Sequence, residues 1–306
     1  MYGGCCVRQT CRVSIPGLRW IFLAAAILYL SLGTGWSRTC NVAAQTRQSE
    51  DPIVVFYAVG DSPYVFFEVP LLAAQVQSLP ADGEFLVHLG DIKLGAAPCE
   101  EAVYRDVARL LRRSPRPVFI VPGDNEWNDC RDPREAWQLW SKYFLRFEEQ
   151  WHPSFPVVHQ SERPENFAFQ LRHVLFVGLN LVGGTVHDPS EWRRRHQDNS
   201  RWLETKIAEN PDATHCVVMA HALLREPHQD FVEALRRIAR RFSRPMLYLH
   251  GDGHAWIFDQ PFGVPNVWRI QVDRGGLAPP VQIRIHQDSR QPFQYDRRLR
   301  APGSAP

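Results

Sequence analysis

Three apolar stretches of strand length each end in a glycine followed by an aspartate. The endings are residues 54–59 before Gly60-Asp61, residues 84–89 before Gly90-Asp91, and residues 117–121 before Pro122-Gly123-Asp124. A glycine lets the backbone turn sharply, so each carboxylate is expected at the carboxyl end of a buried strand. Carboxylates gathered at one edge of a sheet need a compensating cation, because an unpaired buried charge is very costly. The three endings therefore predict a metal site.

Two later strands end in histidines. His221 follows the buried run 214–220, and Gly251-Asp252-Gly253-His254 follows the run 245–249. Carboxylates together with imidazoles suit borderline divalent ions such as zinc, manganese or iron better than a thiolate-bound structural zinc. A single Gly-Asp is commonly a turn, and a single strand-end histidine is commonly structural. Five such endings in one chain favour two ions that share a bridging carboxylate. Such a pair activates water and stabilises the oxygens of a phosphoryl group.

The segments between these strands carry helical patterns of apolar residues. The predicted helices are 69–79, 99–113, 134–149, 199–209 and 228–242. Strands and helices alternate up to residue 121, which predicts a parallel sheet flanked by helices, with ligands at the carboxyl ends of the strands. Residues 166–171 and 173–180 have the pattern of a hairpin, which would begin a second sheet with antiparallel pairing. The fold class is α/β.

The ordered set of motifs resembles that of the calcineurin-like metallophosphoesterase family over about residues 53–260. The residues that carry the resemblance are Gly60-Asp61, Gly90-Asp91, Gly123-Asp124-Asn125-Glu126, His221 and Gly251-Asp252-Gly253-His254. The resemblance implies a four-layer α/β/β/α sandwich with two mixed sheets and two divalent metal ions (manganese, iron, zinc or magnesium) at the strand ends. It implies these ligands: Asp61 and His254 for the first ion, Asp91 as the bridge, and Asp124, His221 and Asp252 for the second.

The chain departs from the family pattern at several of these positions. Pro63 stands where the family often has a histidine ligand, and Leu94 stands where the purple acid phosphatase branch has a tyrosine. Carboxylates replace a carboxamide at Asp124 and an imidazole at Asp252, which favours harder ions such as manganese or magnesium. Asn125 stands where the family has the histidine that helps to protonate the leaving group.

An asparagine cannot donate a proton as a histidine can, so a contribution of about 10²–10⁴ to the rate is either missing or supplied by another group. His250, two residues before Asp252 on the same strand face, is a candidate substitute, and Glu126 is another. His88 is expected in the core, and Asn180 could reach the site from the end of its own strand.

The leading hypothesis is an exported, metal-dependent phosphoesterase that hydrolyses a small phosphate mono- or diester by attack of metal-activated hydroxide. The altered positions motivate an alternative, a family member that binds metal or a phosphorylated ligand without efficient catalysis. A third interpretation is a structural α/β protein without stoichiometric metal. Trp127 and Trp256 could stack a base or sugar in a cleft or simply pack. The aromatic residues of the helix 134–149 could likewise pack on the sheet or wall a substrate cleft.

The length and charge set further bounds. The chain has 306 residues, 44% of them hydrophobic, and a net charge of +2. It can bury a large core, and it has no general attraction for polyanions. Arginine clusters at 193–195 and 236–241 lie in helix-like segments, which is typical of a solvated helix face and indicates no nucleic-acid binding. No linker divides the body, so residues 51–288 are predicted to form one metallophosphoesterase domain and residues 289–306 a loose tail.

The first 44 residues are predicted to be a signal peptide or an N-terminal anchor. Three arginines precede an apolar run at 20–32, which is short for a membrane span and suits a signal-peptide core; residues 42–44 offer small side chains for cleavage. The expected location is periplasmic or extracellular, with membrane contact only through this segment if it is retained. In such an oxidising compartment Cys99 and Cys130, both in loops at the same rim, are predicted to form a disulfide; two unrelated thiols are the alternative. Cys216 is expected in the core.

Overall fold

The first sheet lies beneath the three Gly-Asp endings. The computed structural model describes residues 51–288 and 290–299, all within one compact unit, Ser49–Pro306. Three parallel strands form the centre of the sheet, in the order β1 (Val54–Val59), β2 (Leu86–His88) and β3 (Val118–Ile120). Two antiparallel strands extend it beyond β1, first β11 (Val281–Ile285) and then β12 (Phe293–Asp296). The carboxyl ends of β1 to β3 therefore lie side by side.

The second sheet has seven strands and is also mixed. Its members are β4 (Val158–His159), β5 (Phe167–Leu171), β6 (Val174–Gly178), β7 (His215–Met219), β8 (Met246–His250), β9 (Ile257–Asp259) and β10 (Val267–Gln271). The strand order is β4-β5-β6-β7-β8-β10-β9. Strands β5 and β6 form the predicted antiparallel hairpin, and β6, β7, β8 and β10 run parallel. The ligand-bearing ends of β7 and β8 are thus neighbours.

Within residues 51–288, five α-helices cover the outer faces of the two sheets. They are α1 (Glu68–Gln77), α2 (Glu101–Leu111), α3 (Pro133–Phe144), α4 (Pro189–Glu209) and α5 (Gln229–Phe242). Helices α1 to α3 pack on the first sheet, and α4 and α5 on the second. The aromatic side chains Trp140 and Phe144 of α3 are buried in the layer against the first sheet, so packing is the correct interpretation for them.

The two sheets face each other across a core of their alternate side chains. Val54, Phe56 and Ala58 of β1 point into this core with Phe169 and Phe176 of the second sheet, while Tyr57 and Val59 point to the helices. Alternation along each strand is what lets one sheet contribute to two layers. The result is the four-layer α/β/β/α sandwich that the family resemblance implied.

The structure corrects the prediction of a loose segment after residue 288. Residues 293–296 form β12 along β11. The Phe293 ring is buried in the core between the two sheets, and the next three side chains face solvent. Helix α4 begins ten residues before its predicted start, at an aspartate N-cap followed by proline: the Asp188 side chain accepts from the backbone N–H of Ser190 and Glu191. The short strands β4 and β9 carried no readable pattern.

Among the described residues, no helix is long and apolar enough to cross a membrane. The predicted N-terminal segment 1–44 lies outside the described residues.

Candidate metal centre

The ligand-bearing loops at the strand ends have unusual backbone conformations. Asp61, Asp91, Asp252 and His254 all have positive φ angles, of 57°, 57°, 66° and 57°. Side chains other than glycine rarely adopt this left-handed region, although aspartate, asparagine and histidine do so more readily than most. The loops also approach one another closely, since a Cβ atom on Gly123 would lie 2.2 Å from the backbone nitrogen of Asp91. The glycine at this position is therefore required to bring two carboxylates together.

The structure brings the predicted ligands to one edge. Two groups of three residues place their ligand atoms within 4.8 Å of one another: Asp61, Asp91 and His221, and Asp124, His221 and Asp252. We call the place around Asp61, Asp91 and His254 the first position, and the place around Asp91, Asp124, His221 and Asp252 the second position.

The second position is enclosed. His221 is fully buried, and its Nε2 lies 3.0 Å from Asp124 Oδ1 and 3.3 Å from Asp91 Oδ1. Its Nδ1 lies 2.7 Å from the carbonyl oxygen of Leu89, which can only accept, so Nδ1 carries the proton of the neutral ring. That hydrogen bond leaves the Nε2 lone pair directed at the carboxylates, which is how a histidine ligand is normally oriented.

Within the part of the chain that the structure describes, three buried ligand atoms have no hydrogen-bond partner: Asp61 Oδ2, Asp124 Oδ1 and His221 Nε2. His221 Nε2 and Asp124 Oδ1 are at ion-pair distance but outside hydrogen-bonding geometry. Buried polar atoms are nearly always satisfied, and ligand atoms around an ion of 2.0–2.2 Å bond length lie about 3 Å apart without bonding to each other. The residues present therefore fit divalent cations.

The charges at this edge are unbalanced without cations. Burial raises the pKa of Asp91 well above its ordinary value, and the carboxylates of Asp124 and Glu126 add to that effect. Burial alone would lower the pKa of His221, but Asp91 and Asp124 outweigh it and raise that pKa well above the ordinary value. The shift of His221 reports the negative charge of the surrounding carboxylates, which bound cations would offset.

The first position is more open. The side chain of His254 is 47% exposed, and its Nε2 lies 3.4 Å from Asp61 Oδ1. Asp61 itself is fully buried, and its Oδ1 accepts from the backbone N–H of Asp252 at 3.0 Å. Solvent can therefore reach this position from the His254 side.

Tyr64 also reaches the first position, which the sequence pattern did not predict. Its hydroxyl lies 2.9 Å from Asp91 Oδ2 and 3.1 Å from His254 Nε2. The available signal was its place three residues after Asp61, in the loop that leaves β1. The spacing alone does not say which way such a ring points.

Asn125 and Glu126 support Asp91 from the turn Asp124–Asn128. Asn125 donates from Nδ2 to Asp91 Oδ2 at 2.5 Å and from its backbone N–H to Asp91 Oδ1 at 3.0 Å. The buried Glu126 accepts from the backbone N–H groups of Gly123 and Asp91 through Oε1. Both residues thus act on the bridging carboxylate. The catalytic place given to Asn125 by the motif, and the part of Glu126 as a proton donor, stay predictions.

His250 is close to the centre but enclosed. Its ring is fully buried, Nδ1 is bonded to the Gly251 carbonyl at 2.8 Å, and burial lowers its pKa to about 3. A histidine with that pKa is neutral near pH 7, which argues against it as the proton donor. His88 is buried as predicted and donates to the Ser62 carbonyl. Asn180 bonds Glu165 and Arg195 rather than any predicted ligand.

The two tryptophans have separate surroundings. Trp127 follows Asp124 of the second position by three residues in sequence. It lines a cleft of about 520 Å³ together with Trp137, Arg134 and Arg163. Trp256 instead packs on Tyr295 and lies under the guanidinium of Arg297. Of the two, Trp127 therefore lines a cleft, and none of the predicted metal ligands lines that cleft.

The predicted disulfide is confirmed. Cys99 and Cys130 are bonded at a sequence separation of 31, and Cys216 is a buried free cysteine in the core. The bond ties the loop after Asp91 to the segment after Asp124, so the bridging ligand and a second-position ligand share a covalent brace.

Comparison with solved structures identifies the fold. A 5′-nucleotidase from Candida albicans SC5314 aligns with a TM-score of 0.51 and 11% identity over 80% of this chain and 51% of that chain. GAP50, described as the anchor in the inner membrane complex of Plasmodium, aligns with a TM-score of 0.50 and 10% identity over 79% of this chain and 87% of that chain. The purple acid phosphatase PPD1 from yellow lupin seeds aligns with a TM-score of 0.47 and 9% identity over 75% of this chain and 49% of that chain.

The chain has the fold of the calcineurin-like metallophosphoesterases, as its motifs predicted. It spans about half the length of the 5′-nucleotidase. No protein-family model and no curated protein sequence matches it. At these identities the likeness concerns the fold alone, and the chemistry has to be argued from the site.

Proposed function

We propose that the chain is an exported phosphoesterase that hydrolyses a phosphate mono- or diester at a two-ion site. The observation that carries this proposal is the set of buried, unpartnered ligand atoms Asp61 Oδ2, Asp124 Oδ1 and His221 Nε2 at adjoining strand ends. Divalent ions bound there (manganese, iron, zinc or magnesium) would activate a water molecule and offset charge on the phosphoryl oxygens.

The residues of the chain set the geometry for this reaction. Asp91 has one oxygen near His221 and the other near Tyr64, so it faces both positions and fixes their separation. The two hydrogen bonds from Asn125 hold that carboxylate in one orientation. In the reaction, a water oxygen bonds to phosphorus, the bond from phosphorus to the ester oxygen breaks, and the departing oxygen takes up a proton.

The proton for the departing oxygen separates classes of substrate. Asn125 has no acidic proton, and His250 is neutral and enclosed. An aryl ester leaves as a stable phenolate and needs little protonation, whereas an alkyl ester needs more. We therefore expect aryl phosphates to be hydrolysed about 10²–10⁴ times faster than alkyl phosphates of the same charge. Equal rates would show that another group donates the proton.

The test combines elemental analysis with hydrolysis of an aryl phosphate and a bis-aryl phosphate in the presence of several divalent ions. Wild-type protein should hold stoichiometric metal and hydrolyse at least one of the two esters. The rate of hydrolysis by Asp91→Asn should fall by far more than the roughly 10–100-fold loss that follows removal of a residue that only supports a metal ligand. Asp106→Asn, an exposed carboxylate on α2, is the matched control and should change nothing. Unchanged hydrolysis by Asp91→Asn would refute the bridging role.

A second candidate is a protein of this fold that binds metal or a phosphorylated ligand without turnover. Asn125 in place of a proton donor favours it, and so does the occurrence of the same fold in GAP50, which is described as an anchor. Bound metal with no hydrolysis of either ester, whichever ion is supplied, would favour the binder.

Export rests on the apolar N-terminal run and on the disulfide, since such bonds persist in oxidising compartments. Expression of the full chain followed by fractionation tests it. Mature protein that lacks the first residues, recovered outside the cytoplasm, is the expected result.

A further inference from the structure

The loop between β1 and α1 carries a protruding apolar surface. The side chain of Phe66 is 87% exposed, and Phe67, Val69 and Leu71 are exposed beside it. Leu277, in the loop before β11, is 58% exposed. We call these five residues the apolar patch. Single apolar side chains are common on protein surfaces, but a contiguous group of them marks an interaction site.

Two chain segments bring the members of the apolar patch together. A Cβ atom on Gly276 would lie 3.0 Å from the Cβ of Glu68, so the backbone before Leu277 packs against the start of α1. The rings of Phe66 and Phe67 contact each other, with their centres 5.7 Å apart. The patch is therefore continuous across both segments.

No exposed charge interrupts these two segments. Residues 63–71 contain one charged residue, Glu68, which is fully buried and paired with Arg274. Residues 275–283 contain no charged residue. Exposed aromatic and aliphatic side chains without a charge among them have the composition that enters the boundary between headgroups and acyl chains of a lipid bilayer.

The shape of the patch also favours a lipid surface. A ring as exposed as that of Phe66 projects from the protein, so a protein partner would need a pocket that matches it. The acyl chains of a bilayer adapt to any projecting side chain, and burial of a phenylalanine there removes its whole apolar surface from water.

The sequence before the domain supplies a second argument for a bilayer. The apolar run 20–32 is the predicted anchor if it is retained, and residues 33–50 join it to the domain. These residues can span up to about 60 Å when extended. The six residues of β1 carry the chain only about 20 Å towards the edge that holds the patch. A retained anchor would therefore keep the patch within reach of the bilayer and raise its effective concentration there.

We propose that the apolar patch inserts into a lipid bilayer, so that the domain itself lies on the membrane. This inference goes beyond the proposed function and adds a second contact to that of the N-terminal segment. The patch adjoins the first position, because Tyr64, two residues before Phe66, places its hydroxyl 3.1 Å from His254 Nε2. Insertion would turn the open first position towards the membrane surface.

The test places a fluorescent reporter on the patch. Phe66→Trp in the full chain adds one tryptophan to the ten present, and the emission of wild type is subtracted. Vesicles of phosphatidylcholine are prepared with and without bromine on the acyl chains, which quenches only tryptophans inside the bilayer. The added emission of Phe66→Trp should shift to the blue on plain vesicles and be largely lost on brominated ones. Val158→Trp, at an exposed position of β4, is the matched control and should show neither change.

Both variants keep the N-terminal segment, so anchoring alone cannot produce a difference between them. A further variant, Phe66→Trp/Phe67→Asp, should lose the quenching by brominated lipid, because a carboxylate opposes insertion. In the absence of vesicles, iodide should quench the added tryptophan in both proteins that carry Phe66→Trp. Equal unfolding midpoints would show that these exposed substitutions leave the fold intact.

Two outcomes would overturn the proposal. One is quenching of Phe66→Trp by brominated lipid no stronger than that of Val158→Trp. The other is an added tryptophan that iodide cannot reach without vesicles, since another part of the chain or a second copy would then cover the patch. The measurement needs no hydrolysis, so either failure would leave the proposed function standing, and an inactive protein could still insert.

Discussion

The two cation positions share Asp91 but differ in their walls. The second position is built around His221, which is fully buried and oriented by the Leu89 carbonyl, whereas the first ends at His254, whose side chain is 47% exposed. The difference indicates a division of labour at one site. In the proposed two-ion site, the enclosed position would retain its ion and hold the shared carboxylate, and the open position would let water and substrate approach.

Replacing each of the two histidines by alanine should give the largest difference in metal binding between the two positions. His221→Ala removes a ligand that solvent cannot replace, and we expect the second ion to bind more than about a hundredfold more weakly. His254→Ala removes a ligand that water can replace, and we expect about a tenfold effect on one ion only. Metal content after dialysis, with titration of Mn²⁺ into each variant, measures both. Equal losses in the two variants would contradict the distinction.

The brace on the second position can be removed without touching a ligand. The Cys99–Cys130 bond closes a loop of 31 residues, so the double variant Cys99→Ala/Cys130→Ala should lose about 3–4 kcal/mol in the free energy of unfolding. We expect the loss to be accompanied by weaker binding at the second position, because the brace joins the loops of Asp91 and Asp124. Cys216→Ala, away from the loops, is the comparison. A double variant as stable as wild type would show that the brace is redundant.

The contribution of His88, near the first position, to the free energy of unfolding should depend on pH. His88 donates to the Ser62 carbonyl beside Asp61, and burial lowers its pKa to about 4 from 6.5. The native state therefore binds fewer protons at this site than the unfolded chain does. The stability it contributes is complete above pH 6.5 and is lost as pH falls towards 4, by about 1.4 kcal/mol per unit at most.

His88→Gln should flatten that fall in the free energy of unfolding measured by denaturant titration between pH 6.5 and 4. His152→Gln, at an exposed ring, is the matched control. A slope unchanged by His88→Gln would place the acid sensitivity in other buried histidines.

The sequence predicted the parts of this site that depend on strand endings. Gly-Asp after a buried apolar run fixes both the end of a strand and the side of the sheet on which the carboxylate appears, so Asp61, Asp91 and Asp124 could be placed together. The ends of β7 and β8 followed by the same reasoning. The two-sheet sandwich came from the family resemblance, since local patterns do not specify how sheets stack.

Features that depend on side-chain direction within loops could not be predicted. Tyr64 lies in a turn whose path is set by contacts with Glu68 and Arg274. Glu68 and Arg274 form an ion pair although they are more than 200 residues apart in sequence. Asn125 was assigned by its place in a motif, but the turn that begins at Asp124 directs its amide onto Asp91. Strand β12 depends on a single buried ring, that of Phe293, which is too little apolar pattern to identify a strand.

The left-handed backbone at Asp61, Asp91, Asp252 and His254 has a thermodynamic consequence. Residues other than glycine in this region cost on the order of 1 kcal/mol or more each, and the surrounding fold must impose them. The apolar layers on both sides of the sheets thus supply the free energy that keeps these four side chains aimed inward before any ion arrives. Substitution of core residues in those layers by smaller ones should weaken cation binding well before it unfolds the chain.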